Sequence, residues 1–500
     1  MSKQAVAGNT SARDTRYWVK AIIGLALIFG IQFIPAPAPI TQPGMAVIGM
    51  FVGLIWMIAA VDKVWPTFAV ICLFSFYAFD IYPDSTASSP VYETVIQSFG
   101  NWIVLFIVTM LRLCEALQQV GLLRRMTLWF ITRKVAQKGP WALTTMMLLA
   151  TLVVGAIMDC TPTAMVMIVI AHEVFNAFGF KEGDEWPKMI IAAIPMTVTI
   201  AFGMTPIGHN LVIAVMDIVA AASGESINMV QYMLIGVPVG LILFAILILY
   251  FKYFVKPDTS KFNDVDFSGL RALKPGKMSA QEKIVAVVAC AVLLFWLAPG
   301  VLGIVAPDSS ILAFVNEMTM LYPVMAAIAL LAFIHIDGKP ILNMSEALNK
   351  ISWTPTFMFA SVVMIATALR QDTVGVIDWV DAYVAPAVSG FSPFVMVLVL
   401  AAITVVVTNF LNNTAVGMLF ATACAPFALS VGVNPVIVTV VIALASNLAY
   451  TTPAASFVAT FSVTDPYCNG GYVLRHGIVM AVISVIVCGM LCYPLGSMLF

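Results

Sequence analysis

Apolar runs long enough to cross a bilayer core, roughly 20 residues each, recur along this chain with short polar turns between them. The pattern predicts full spans over 17–35, 44–61, 64–80, 99–121, 188–222, 231–255, 283–306, 318–337, 351–371, 434–463 and 472–498. Two further apolar segments, 140–178 and 391–430, are interrupted near their middles by polar clusters. The first cluster is Asp159-Cys160-Thr161 and the second Asn412-Asn413-Thr414. Each segment reads either as two spans or as a helical hairpin that enters and leaves on one side. The hairpin reading predicts an all-α polytopic membrane protein of about 11 transmembrane helices and two re-entrant hairpins. The apolar run after the polar N-terminal lead is taken as a retained span, despite the small residues at 35–39 that resemble a signal-cleavage site.

Composition agrees with the pattern. Apolar residues make up 61% and charged residues 10%, against roughly 25% charged in soluble domains. A soluble surface needs more charge than that, whereas lipid needs none. A net charge of −1 and the lack of a basic run interleaved with aromatics argue against nucleic acid. The eight cysteines form no C-x-x-C pair and no zinc spacing, which leaves them as small apolar packing residues, with Cys160 set apart by its position.

Charge also orients the chain. With both interrupted segments as hairpins and the N-terminus in the cytoplasm, 22 of the 24 Lys and Arg fall in inside segments. The outer loops near 36–43, 81–98, 223–230, 307–317, 372–390 and 431–433 hold none. This is the positive-inside asymmetry, and it places the C-terminus outside an inner or plasma membrane. Two spans per interrupted segment keep the same parity. The charge pattern therefore fixes orientation more firmly than it fixes the hairpins. The expected organisation is a tail and first span over 1–43, a first repeat over 44–255 with hairpin 140–178, a basic cytoplasmic linker over 256–282, and a second repeat over 283–500 with hairpin 391–430.

The halves share an order of features. Trp102, Gly121, the break at 159–161 and Thr205-Pro206 answer to Trp353, Gly375, the break at 412–414 and Thr452-Pro453. Trp to break is 57 residues in one half and 59 in the other; break to Thr-Pro is 46 and 40. The matching Trp spans run in opposite senses, so the repeats are inverted. Interrupted helices at matching positions of inverted repeats point to a transporter's binding site.

Broken helices leave backbone groups that survive at membrane depth only where protein, water or ligand satisfies them. Their N-termini suit an anion, and their C-termini and unwound carbonyls suit Na⁺. Thr161, Asn413 and Thr414 add neutral donors and acceptors. Capping of the half-helices is the plainer role for these residues and is compatible with binding.

These motifs resemble the divalent anion:sodium symporter (DASS) family, which carries Ser-Asn-Thr at each hairpin tip and a Thr-Pro break in the span after each hairpin. The likeness covers about 44–498 in order of features. It implies an elevator-type homodimer that moves di- or tricarboxylates or sulfate with Na⁺, or exchanges them. Carried over by position, it implies that Asp159, Cys160 and Thr161 line one Na⁺ and substrate site and that Asn412, Asn413 and Thr414 line the other. Thr205, Gly208, Thr452 and Pro453 would close these sites, and no other cofactor is implied. The Na⁺ candidates are Asp159, Asn412 and Asn413. The first tip departs from the family, reading Asp-Cys for Ser-Asn, and a thiol is a poor ligand for a hard cation. A carboxylate at membrane depth is a functional candidate by default. Ionised, Asp159 favours a cation; protonated, it is itself a coupling group; an ordinary N-cap is the alternative. His209 faces Asp159 or substrate, or is satisfied by backbone.

The leading expectation is a secondary transporter of small organic anions driven by Na⁺ or H⁺. A cation/proton antiporter using Asp159 is the alternative. The chain lacks H-E-x-x-H, G-x-S-x-G and Walker A motifs, which sets aside an intramembrane enzyme and an ATP-driven pump. A channel stands further off, because paired broken helices favour alternating access. His172, Glu173, Asp217, Glu115 and Arg112 are weaker intramembrane candidates, and His335 and Asp337 are expected in solvent at a span end.

Overall fold

The computed structural model describes residues 15–61, 64–207, 209–225, 227–264, 274–349, 353–384, 386, 390–430, 432–452 and 456–500. Its helices, in chain order, are α1 (Thr15–Gly30), α2 (Gln42–Ala60), α3 (Trp65–Ile81), α4 (Pro90–Gln97), α5 (Trp102–Gln119), α6 (Leu122–Ile131), α7 (Pro140–Gly155), α8 (Cys160–Ala177), α9 (Glu185–Met204), α10 (Asn210–Ser223), α11 (Met229–Leu249), α12 (Ala280–Val305), α13 (Ser310–Met318), α14 (Leu321–Phe333), α15 (Met344–Asn349), α16 (Trp353–Ala368), α17 (Val376–Trp379), α18 (Pro393–Thr408), α19 (Asn413–Ser430), α20 (Pro435–Asn447), α21 (Phe457–Val463) and α22 (Gly470–Leu499). Among the described residues the only sheet is the antiparallel pair His335–Ile336 and Lys339–Pro340.

Among the described residues, six helices are long and apolar enough to cross a membrane, or eight if the bent pairs α5–α6 (58°) and α13–α14 (74°) each count as one span. Eight further apolar helices are shorter, largely because polar breaks divide them. Both interrupted segments are helix–break–helix: α7 and α8 flank one break, α18 and α19 the other. The spans expected over 188–222 and 434–463 are also broken, into α9–α10 and α20–α21. Boundaries moved where local chemistry overrode hydropathy. The stretch 307–317 holds α13. The span expected to reach 337 ends at Phe333, because the chain turns back through Asp337 and Gly338, both at positive φ. The segment 81–98 contains α4, which Ser89 caps and Pro90 starts.

The chain divides into two compact units. One takes the described residues up to Val104 with those of 352–384. In it α2 packs on α1 and α3, and α16 on α2, α3 and α4. The other takes the described residues of 105–351 and 385–500. Its centre is α9 and α20. From Trp186 to Met204 every residue of α9 except Lys188 is buried, and so is every residue of α20 from Val436 onward. Polar residues inside this core satisfy themselves locally, as Thr197 does by donating to the Ala193 carbonyl (2.8 Å). The two helices touch at Gly203, where a Cβ would lie 2.6 Å from a Leu444 methyl. Around them pack α7 and α8 on α9, α18 and α19 on α20, and α10 on α19. Of these, α19 rests on helices of both broken spans, α20 and α10.

Candidate functional site

At the first tip α7 stops at Gly155 and the chain turns through Ala156–Met158. Asp159 caps α8: its Oδ1 accepts from the Thr161 amide (3.1 Å), and its backbone carbonyl accepts from the Thr163 hydroxyl (2.8 Å). The Cys160 sulfur lies 3.8 Å from the Thr161 hydroxyl. Pro162 sits in the first turn of α8, where its missing N–H leaves no helical bond unmade.

The facing break follows Met204. Thr205 is extended, and its hydroxyl donates to the carbonyl of Ala156 in the first tip. His209 is buried and caps α10, its Nδ1 accepting from the Leu211 amide at 3.0 Å. That bond leaves Nδ1 without a proton. Among the described residues no hydrogen bond joins His209 to Asp159, and the backbone satisfies this imidazole nitrogen.

The second tip repeats the arrangement with different chemistry. Asn412 Oδ1 accepts from the amides of Thr414 (3.1 Å) and Ala415 (3.3 Å) at the start of α19. Asn413 Oδ1 lies 3.1 Å from the Thr408 hydroxyl, whose proton it shares with the Ser446 carbonyl. Asn413 Nδ2 donates to the Asn447 carbonyl (3.4 Å). The break after α20 is held by Asn409, a residue that sequence reasoning missed. Its Nδ2 donates to the Val405 and Leu448 carbonyls (2.8 and 3.0 Å), and its Oδ1 accepts from the amides of Tyr450 (2.9 Å) and Thr451 (3.2 Å). The hydroxyls of Thr451 and Thr452 both donate to the Asn409 carbonyl at 3.0 Å. From the outside α22 presses on the break: a Cβ on Gly477 would lie 2.7 Å from the Tyr450 carbonyl oxygen.

The two tips therefore share a frame. Ala156 and Asn409 stand at equal distances before their capping residues, and each offers its carbonyl to the hydroxyl of the following Thr-Pro break. A signal for Asn409 was present, since it precedes the Asn412 cluster inside an apolar run. Of the expected closing residues, Gly208 and Pro453 lie outside the described residues.

The weaker candidates have structural partners. Arg112 donates to Glu115 and to the Ala347 carbonyl (both 2.6 Å). Glu173 pairs with Arg124 (2.7 Å), and His172 with the buried Asp465 (2.8 Å). The chain segments that build the site carry few charges. Lys and Arg are absent from 139–180, 189–251 and 371–474, and Asp159 is the only carboxylate at either tip.

The profile of the family described as "Sodium:sulfate symporter transmembrane region" matches residues 15–500. A protein of Staphylococcus saprophyticus named sodium-dependent dicarboxylate transporter SdcS is 25% identical over 380 residues, 73% of this chain and 70% of that protein. Its namesake in Staphylococcus aureus is 22% identical over 315 residues, 60% of this chain and 58% of that protein. Two solved transporters share the fold. YdaH of Alcanivorax borkumensis has a TM-score of 0.56 at 14% identity, over 86% of this chain and 98% of that one. MtrF of Neisseria gonorrhoeae has 0.57 at 10%, over 97% and 95%.

Proposed function

The chain belongs to the sodium:sulfate symporter family and is an integral membrane transporter rather than an enzyme; from that premise we propose that it carries small di- or tricarboxylate-like anions coupled to Na⁺. The observation that carries this reading is the absence of Lys and Arg from the chain segments that form the two tips and their facing breaks. A dicarboxylate taken out of water without compensating charge pays a desolvation cost of many kcal/mol. Here only helix N-termini, neutral Asn and Thr groups and a bound cation can compensate it. The N-termini of α8 and α19 supply N–H donors and partial positive charge. Na⁺ beside Asp159, Asn412 and Asn413 would supply the rest, so anion binding requires the cation.

The relatives named sodium-dependent dicarboxylate transporters support the same coupling. In this proposal Thr161, Asn413 and Thr414 contact substrate. Thr205, His209 and Thr452 hold the facing breaks, with Gly208 and Pro453 assigned by position, and Cys160 lies at the ion site without ligating well. The matched bonds from Thr205 to Ala156 and from Thr452 to Asn409 support the inverted repeat. Division of the chain into two compact units is what an elevator requires, and a homodimer with the N-terminus in the cytoplasm completes the proposal. Proton coupling through Asp159 is the second reading, favoured by that carboxylate being alone at the first tip.

The test is uptake of radiolabelled succinate, malate and citrate into proteoliposomes under an inward Na⁺ or an inward H⁺ gradient. Saturable uptake that needs Na⁺ is expected. Uptake driven by the proton gradient alone would transfer the coupling to Asp159, and no uptake of any of the three acids under either gradient would sink the substrate assignment.

A further inference from the structure

Four asparagine side chains surround the second tip and its break, and their amide oxygens are not equally engaged. Asn409 Oδ1 takes two backbone amides, Asn412 Oδ1 takes two more, and Asn413 Oδ1 takes a share of the Thr408 hydroxyl. The oxygen of Asn447 takes nothing. Asn447 is wholly buried, and its Oδ1 has no hydrogen-bond partner among the described residues. Its orientation is set by its own Nδ2, which donates to the Ala443 carbonyl at 2.7 Å; the flipped amide would turn one acceptor against another.

A buried acceptor without a partner costs about 1–3 kcal/mol, so native folds keep such groups rarely and for a reason. Position shows what this one awaits. Asn447 is the last residue of α20, at the carbonyl end of a half-helix that carries partial negative charge. Nearby backbone oxygens point the same way in chemistry: the Ser446, Asn447 and Leu448 carbonyls all act as acceptors. No charged residue lies between Asp381 and Asp465. An oxygen-rich helix C-terminus in a charge-free stretch of chain suits a small hard cation, for which amide and carbonyl oxygens are the fitting ligands.

We infer that the side-chain oxygen of Asn447 is a direct ligand of the cation bound at the second tip. This deepens the proposed Na⁺ coupling and rests on it. Asn412 and Asn413, the candidates from sequence, then act chiefly as frame: one caps α19, and the other ties α19 to the end of α20.

The experiment compares wild type with Asn447→Leu, a near-isosteric change that leaves no cavity. It measures melting temperature in detergent with and without Na⁺, and Na⁺ dependence of uptake in proteoliposomes. N447L should melt at or above wild type without Na⁺, because it removes an unsatisfied buried oxygen. Its Na⁺-induced stabilisation at a given Na⁺ concentration should shrink, and half-maximal uptake should need at least about tenfold more Na⁺, the equivalent of about 1.4 kcal/mol. Asn447→Asp, which keeps an oxygen in place, should need no more Na⁺ than wild type, and it carries the test should N447L not fold. A lower Na⁺-free melting temperature with an intact Na⁺ response would make Asn447 structural and overturn the inference, as would a tenfold loss in N447D. Wild type without any Na⁺ response would instead overturn the coupling itself, and this ligand with it.

Discussion

Among the described residues the Thr205 hydroxyl is the only side-chain donor to the Ala156 carbonyl, whereas the Asn409 carbonyl receives two, from Thr451 and Thr452. Losing a sole partner strands a carbonyl in a protein interior, at about 1–3 kcal/mol. Thr205→Val should therefore lower the melting temperature and slow uptake, while Thr452→Val alone should be nearly neutral in stability. Thermal melts of both variants and of the Thr451→Val, Thr452→Val double variant check this; equal effects of the two single changes would contradict the assigned frame. Asp159 separates capping from charge in the same way. Asn caps a helix about as well as Asp, so Asp159→Asn should fold normally yet raise the Na⁺ concentration for half-maximal uptake by about tenfold, reflecting the lost charge-assisted contact. Unchanged Na⁺ dependence would reduce Asp159 to a cap. The capping roles of Asp159 and Asn412 were legible beforehand, because Asx before an apolar run is a helix-start signal. The partners of Asn409 and Asn447 were not: the position of Asn409 before the Asn412 cluster was a signal, but its partners lie across the break at Leu448–Thr451, those of Asn447 lie within α20, and linear spacing does not reveal them.

At the scale of elements, the linker that follows α11 is tied back to the start of α9. Lys261 donates to Asp184 Oδ2 at 2.6 Å, and the Asp258 amide donates to Glu185 Oε2 at 2.7 Å. Partial burial pushes the Asp184 carboxyl up, but the Lys181 amide and the Lys261 ammonium outweigh it and hold the group below its usual range. A depressed carboxyl pKa means that the tie is fully present above the ordinary value, near 3.9, and is lost as pH falls through the lower folded one. Limited proteolysis within 256–264 should thus be slow and pH-independent from neutrality down to about pH 5, and faster throughout in Asp184→Ala. A variant cleaved at the wild-type rate would show that the tie does not order the linker. The element pattern itself was largely readable, with helix breaks where Asp-Cys-Thr, Asn-Asn-Thr and Thr-Pro interrupt apolar runs. The bends at α5–α6 and α13–α14 were not, since polar turns mark a stop without giving its angle.

For the whole molecule, the distribution of Lys and Arg makes a topological prediction. A cysteine introduced at Lys277 should react with an impermeant maleimide only from the cytoplasmic side, and one at Ser88 only from outside, in a background without native cysteines. Labelling of both from one side would overturn the inverted arrangement. The division into two compact units adds a mechanical expectation: a crosslink between the units should abolish uptake while sparing Na⁺ binding, measured as Na⁺-induced thermal stabilisation.

Hydropathy and charge sufficed to establish a membrane-embedded helical chain and the two polar clusters where helices break, and the motifs at those clusters carried the likeness to a family of anion symporters. Those features follow from what lipid excludes, and the exclusion acts residue by residue along the chain. Which oxygens at a break are spent and which stand open depended on tertiary structure. Asn412 and Asn447 are the same amino acid in neighbouring apolar segments, yet one oxygen holds two backbone amides and the other holds none. Hydrogen-bond satisfaction belongs to pairs of groups, and the fold alone decides which pairs meet.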